Sequence, residues 1–315
     1  MKKVISLILS VLFVACLFAG CGEAADDGAV KVAIVQQLDH SSLDEIRMAI
    51  ESELTAAGYT VEVYNGQNDS SVLNQIGTEV VSEGFDLIIP IATTAAQVMV
   101  TSAEGNIPIV YAAVSDPEGA GLTGMDNVVG VSDALNTAFI LDMMFAANPD
   151  IQTVGLLYSN SEPNSEKPIA EAKAYLEAKG IAYIEKTGTT SGEIIEAASA
   201  LVGRVDAVFT PTDNAVMAAE FTVAEILNEA GIPHYAGADS FVQAGAFATC
   251  GVNYTELGTY TAKMAMDFLA GKEVPQFHVM DGGIITVNTD TAAALDLAYD
   301  IFADMANTVN EVTTG

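Results

Sequence analysis

Several polar clusters in this chain fall where an apolar run stops and a helical pattern begins. The clearest is TVGLLYSNSEPNSE at 153–166, where a short apolar run ends in Ser159, Asn160 and Ser161, with Asn164 and Ser165 just beyond. Thr93 and Thr94, Ser115 and Asp116, Thr212-Asp213-Asn214, and Asp239 end other runs in the same way, and Gln36 closes the first. Hydroxyls and amides beside a helix start leave unpaired backbone N–H groups and a positive dipole end, which together suit an anion. An ordinary capped helix start has the same composition. Repetition of the pattern is what points to a site.

The elements carrying these clusters alternate. Strands are expected at 31–37, 60–65, 86–94 and 107–117, with helices at 43–57, 71–82 and 95–103 between them. A second set follows: a strand at 153–160, a helix to 179, a strand at 182–187, a helix at 193–202, a strand at 206–214, a long helix at 215–230 and a strand at 232–240. DLIIPIATTAAQ and DAVFTPTDNAVM both run Asp, apolar strand, Pro, Thr, helix, and Asp86 and Asp206 open them. Alternating strands and helices imply parallel sheets with right-handed crossovers, so the fold class is α/β with two doubly wound lobes. Ligands in such sheets sit beyond the carboxyl ends of the strands, so a cleft between the lobes would collect the polar clusters.

The N-terminus combines Lys2 and Lys3, an apolar run at 4–18 and the small residues Ala19 and Gly20, which reads as a signal peptide over 1–20. Phe18-Ala19-Gly20-Cys21 resembles a bacterial lipobox, which would make Cys21 the lipidated first residue, followed by a polar tether over 21–29. No other stretch is long and apolar enough to span a bilayer. Removing Lys2 and Lys3 takes the formal net charge from −31 to −33, so acidic a surface that nucleic acid is excluded as a partner. The membrane is then met through the lipid anchor alone. Cys250 is the only cysteine after Cys21, so no intrachain disulfide or thiolate cluster is expected, and it reads as a small core residue.

Residues 31–300 resemble the substrate-binding lipoproteins of bacterial ABC importers, in their tryptophan/tyrosine branch. KVAIVQQLDHSSLDEIR, PIATTAAQ, IPIVYAAVSDPEGAGL, GLLYSNSEPNS, VDAVFTPTDN, IPHYAGADSFVQAGAFATCGVNYTELG and ITVNTDTAAAL carry the resemblance. It implies the type I periplasmic-binding-protein fold with three passages between lobes, placed near 131–136, 248–252 and 274–278. Lobe 1 would hold 30–133 and about 250–275, and lobe 2 would hold 134–249 and about 276–315. An acidic tail from Leu295 departs from the family pattern. By resemblance and position, Thr93 and Thr94 would hold a ligand carboxylate, with Ser159, Asn160, Ser161, Asn164 and Ser165 offering the same from lobe 2. Asp116, Asp213 and Asp239 sit where a carboxylate pairs with a ligand ammonium or caps a helix, and Asp213 leads them. Tyr158 and Tyr254 would flank an apolar or aromatic side chain, or pack in the core.

His40, His234 and His278 have no metal-site spacing, although His40 lies in the first cleft loop. No G-x-S-x-G elbow or P-loop is present, so neither enzyme nor cofactor is expected. The expectation is a monomeric extracytoplasmic protein that binds a zwitterionic solute, an amino acid and by resemblance an aromatic one, and hands it to an ABC permease and its ATPase. A ligand-sensing module for a membrane receptor shares these features. An extracytoplasmic enzyme using Ser115 or Asp213 is the third reading.

Overall fold

The computed structural model describes residues 30–315. The expected signal peptide at 1–20, lipidation at Cys21 and tether at 21–29 lie outside the described residues.

Apolar runs make the buried strands β1 (Lys31–Gln36), β3 (Leu87–Ile91), β4 (Ile109–Tyr111) and β5 (Val128–Ser132). The alternating segment TVEVYN makes the edge strand β2 (Thr60–Asn65). With β11 (Phe277–Val279), these pair in the order β11-β5-β4-β3-β1-β2, all parallel. Helices α1 (Ser41–Ala56), α2 (Ser70–Glu83) and α3 (Thr93–Ala103) connect them.

The second sheet repeats the plan with β6 (Thr153–Tyr158), β7 (Ala182–Thr187), β8 (Ala207–Thr210), β9 (His234–Ala236) and β10 (Ala248–Gly251). Its order is β13-β12-β10-β9-β8-β6-β7, with β12 (Ile284–Asn288) antiparallel to β10 and β13 (Thr308–Val312) parallel to β12. Asp86 and Asp206 do the same job in each set. Asp86 Oδ2 accepts Lys31 N at 2.8 Å, and Asp206 Oδ2 accepts both Gln152 N and Thr153 N at 2.9 Å. Each carboxylate ties the start of a lobe's first strand to its third.

The chain leaves the first sheet after β5 and builds α4 (Thr137–Ala147) into the second lobe's core, where Ile140 and Leu141 are buried. It returns after β10 as α10 (Tyr254–Leu269), which lies along α1. Gly258 permits that approach, since a Cβ there would sit 2.5 Å from Ile46 O. The third passage falls later than 274–278. Phe277, His278 and Val279 pair with Gly130, Val131 and Ser132 in the first sheet, so the chain crosses at 280–283 instead. The short run around Phe277 carries no mark of which sheet edge it will join.

The long helix expected over 215–230 is broken into α7 (Asn214–Met217) and α8 (Glu220–Glu229). The break turns Glu220 inward, where its Oε1 lies 2.9 Å from His234 Nδ1 with both residues fully buried. The acidic tail docks on the second lobe. A 3₁₀ turn at Asp300–Asp304 buries Phe302 beside Phe247, ring centroids 6.1 Å apart, and β13 then extends the sheet. Cys250 is a free, buried thiol in the same core.

Candidate functional site

The two sheets present their strand ends to each other, and the lobes are closed. Gln37 Nε2 donates to Glu162 Oε1 at 3.1 Å, Ser42 Oγ donates to Asp239 Oδ1 at 2.9 Å, and the Ser115 and Thr212 hydroxyls meet at 3.1 Å. At the rim, Lys167 Nζ lies 3.6 Å from Asp116 Oδ1. Between these links is an interlobe pocket that the closed lobes nearly fill, with about 20 Å³ of free volume. That is room for about one water, so a solute enters only when the lobes part.

Lobe 1 contributes His40, Ser42, Leu43, Ala92, Thr93, Ala113, Ser115 and Asp133 to the walls, and Tyr254 from the returning segment. Lobe 2 contributes Asn164, Thr212, Asp213, Asn214, Met217, Ala238 and Phe241. Leu43, Met217, Phe241 and the Tyr254 ring supply apolar surface.

Thr93 opens α3, and Ala92 in the N-cap position provides no side-chain cap. Thr93 is 2% exposed, yet its Oγ1 has no partner. A buried hydroxyl without a partner costs free energy unless something fills its site, and the free N–H groups of the first helical turn lie beside it. Ala92 has φ 80° and ψ 162°, a region held almost exclusively by glycine, and Ala113 has φ 52°. Both line the cavity, so backbone strain is concentrated at its lobe 1 wall.

Asp133 lies in the first passage between lobes and is 6% exposed; its Oδ1 accepts Ser115 Oγ at 2.9 Å. Burial pushes its carboxyl above the usual range. Tyr254 is buried near Asp133, Asp239 and Glu45, and burial followed by these charges holds its phenol neutral. His40 Nε2 lies 3.4 Å from Asn214 Oδ1, while its Nδ1 is buried without a partner. Burial lowers His40 to about 4, so the ring is uncharged at neutral pH.

Asp213 is fully buried and held by the protein itself. Its Oδ1 accepts Val216 N at 3.0 Å, and its Oδ2 accepts Ser159 N and Ser165 Oγ, each at 2.7 Å. It touches the cavity as the N-cap of α7, with little acceptor capacity left for a ligand ammonium. Glu162 lies next to it and is 5% exposed; Gln37 Nε2 bonds one oxygen and Asn214 Nδ2 the other, at 3.0 Å. Burial first, then the Asp213 charge, pushes Glu162 upward.

The structure thus brings Thr93, Ser115, Asn164, Thr212, Asp213, Asn214 and Tyr254 to one cavity. It does not bring Gln36, Thr94, Asp116, Tyr158, Ser159, Asn160, Ser161, Ser165 or Asp239 to its walls. Gln36 turns back to Leu38 O and Asp44, at 2.7 and 2.8 Å, and its neighbour Gln37 crosses the seam instead. Tyr158 donates to Glu185 Oε2 at 2.8 Å on the flank of lobe 2, so it does not flank a ligand. The Ser159 N–H and Ser165 hydroxyl are spent on Asp213, the Ser159 hydroxyl meets that of Ser161, Asn160 and Ser161 are exposed, Asp116 pairs with Lys167 at the rim, and Asp239 faces a neighbouring cavity. Asp133, Glu162, Ser42, Met217 and Phe241 were not singled out in the sequence. Only the expected passage near 131–136 pointed toward Asp133.

Residues 31–303 match the family model described as ABC transporter substrate binding protein. The chain belongs to that family. Its members are substrate-binding proteins rather than enzymes and work outside the cytoplasm. A tyrosine-binding protein of Clostridioides difficile is 31% identical over 321 aligned residues, covering 94% of this chain and 93% of its own. A Streptococcus pneumoniae ABC domain solved with L-Trp is 29% identical, covers 89% of this chain and 99% of its own, and superposes with a TM-score of 0.84. A ligand-free, open substrate-binding protein with adhesive properties from Clostridium difficile is 32% identical over 91% of this chain and all of its own, with a TM-score of 0.68. The better superposition falls on the ligand-bound relative despite its lower identity. This agrees with the hydrogen bonds across the seam, since lobe closure changes overall shape more than lobe structure.

Proposed function

We propose that this substrate-binding protein takes an aromatic L-amino acid into the cleft and delivers it to an ABC permease. Thr93 Oγ1 and the N-terminal amides of α3 receive the carboxylate, Asp133 receives the ammonium, and Leu43, Met217, Phe241 and Tyr254 surround the ring. The observation that carries the reading is one cavity holding a partnerless buried hydroxyl at a helix N-terminus, a buried carboxylate and an apolar wall. A zwitterion with a large side chain complements all three. Relatives named for tyrosine and solved with L-Trp support the choice of an aromatic side chain. The ammonium role moves from Asp213 to Asp133 because Asp213 already accepts three protein donors.

Titration calorimetry with L-tyrosine, L-tryptophan, L-leucine and glucose tests this. The two aromatic amino acids should bind most tightly, and Asp133→Asn should weaken them about 30-fold or more, the loss expected when a buried ion pair loses its charge. Tight glucose binding, or an unchanged affinity in Asp133→Asn, would defeat the assignment. The lipid anchor is proposed from Cys21: Cys21→Ser should leave a folded protein that is released from the membrane, as fractionation would show.

A further inference from the structure

A second cavity of about 220 Å³ lies beside the ligand cleft, where the lobes meet. Glu45 on α1 contributes one wall from lobe 1, and Asp239, just beyond β9, another from lobe 2. The floor is a polar row across three strands. Thr249 of β10 is registered with Thr286 of β12, and Thr286 with Asn310 of β13, so the three side chains share one face of the sheet. Thr249 is 1% exposed and its Oγ1 has no partner, although it lines this cavity. Buried hydroxyls are normally bonded, so this atom calls for a donor that the protein does not supply.

The charges make the same demand. Closing the lobes brings two carboxylates together in a chain whose net charge is already −31, and no lysine or arginine lines the cavity. Burial and the Asp239 charge push Glu45 above the usual carboxylate range. A cation bound here would reverse that repulsion and offset part of the cost of closure.

We infer that this interlobe cavity, completed by Asn310 of the acidic tail, is a binding site for a small primary ammonium ion such as an aliphatic amine or diamine. A primary ammonium has three N–H donors, and two carboxylates with an orphaned hydroxyl are acceptors for them. A stripped divalent metal ion suits the site less well. Calcium takes about 6–8 oxygen ligands, and no group of three or more His, Cys, Asp or Glu is placed to hold a metal among the described residues.

The test is titration calorimetry of the full chain with 1,4-diaminobutane, and separately with calcium and magnesium chloride at matched ionic strength. The diamine should bind saturably at one site, while Glu45→Gln and Thr249→Val should each weaken it about tenfold or more. Equal binding by wild type and Glu45→Gln would mark diffuse attraction to an acidic surface and overturn the site. Absence of saturable binding to the wild type would overturn it too. Tighter binding of calcium or magnesium, lost in Glu45→Gln, would overturn the ammonium assignment, as would competition between the diamine and L-tyrosine for one site.

Discussion

The third strand of each lobe ends in the same short pattern, but the two ends are used in opposite ways. In lobe 1, β3 runs into Thr93, whose hydroxyl is buried without a partner at an uncapped helix start. In lobe 2, β8 runs through Pro211 and Thr212 into Asp213, which caps α7 and accepts three donors. One end is left open and the other is closed by the protein. Sequence position alone therefore does not make a strand end a ligand port. Its donors and acceptors must also remain unspent after folding.

That contrast is most easily broken at Asp213. Asp213→Ala would strand Ser159 N, Ser165 Oγ and Val216 N in a buried site, so a stability loss of about 3 kcal/mol is expected. Affinity for the amino acid, measured on the folded fraction, should change by less than about fivefold. Denaturant unfolding and calorimetry on one preparation separate the two quantities. A stable variant with 30-fold weaker binding would restore the ammonium to Asp213.

Next in size is a pH effect arising from the lobe 2 side of the seam. In the closed state Glu162 is surrounded by Asp213, the amides of Gln37 and Asn214, and no cation, and is pushed up to about 8. Opening should return it toward its ordinary value near 4.5. Closure thus takes up a proton at Glu162, and this contribution is full below the ordinary value and lost as pH rises through about 8. His40 acts in the other direction, since it is held near 4 when closed and stands near 6.5 when free. The two oppose each other between about 4.5 and 6.5. Above 6.5 His40 no longer contributes, while Glu162 and the other carboxyls that burial raises at the seam disfavour closure, so affinity should fall as pH rises toward 8. Glu162→Gln should flatten the profile. A wild-type profile flat from 6.5 to 8 would mean that Glu162 stays ionised when the lobes close.

Much of this architecture was legible because its signals are local. Apolar runs such as Leu87–Ile91 and Val128–Ser132 bury on both faces of a parallel sheet, and the repeated Asp86 and Asp206 clamps gave the two-lobe repeat a visible marker. The site was only partly legible. The polar side chains of Ser159-Asn160-Ser161 look equivalent in sequence, yet Ser159 is buried, with its backbone N–H on Asp213 and its hydroxyl against that of Ser161, while Asn160 is exposed. Asp133 and Glu162 carry no such mark, because in a chain with 42 acidic residues nothing local distinguishes a buried carboxylate from a solvated one. Phe241 and Met217 could not be told from core until the packing of the second lobe was known. The positive φ at Ala92 and Ala113 has no sequence signature at all, since alanine is the wrong residue for it.

A sharper form of the comparison removes the open acceptor without changing shape. Thr93→Val replaces the orphaned hydroxyl by a methyl group, so stability without ligand should be unchanged or higher by up to about 1 kcal/mol. Affinity for the amino acid should fall about tenfold through loss of one hydrogen bond to its carboxylate. The same exchange at Thr210 should instead destabilise, because its Oγ1 lies 2.8 Å from His234 Nε2 in the buried interior of lobe 2. Equal behaviour of the two threonines in melting and calorimetry would remove the distinction between spent and unspent hydroxyls.

The smallest expected effect concerns how lobe 1 keeps its end open. Ala92 sits at φ 80° and ψ 162°, while its N–H donates to Ala112 O at 3.0 Å and its carbonyl accepts Ala96 N at 3.0 Å. Those two bonds hold the residue in a region that costs a non-glycine side chain about 1–3 kcal/mol. The matching residue before α7 is Asp213, at an unstrained φ of −94°. Strain therefore accompanies the open end and is absent from the capped one. Ala92→Gly should relieve it, offset by about 0.5–1 kcal/mol of extra freedom in the unfolded chain, for a net gain of about 1 kcal/mol in denaturant unfolding. Affinity should weaken by no more than about threefold, because the glycine holds Thr93 and the α3 amides less firmly. If Ala92→Gly lowers stability, the loop is not strained at this residue, and the open end must be held by the packing of α3 alone.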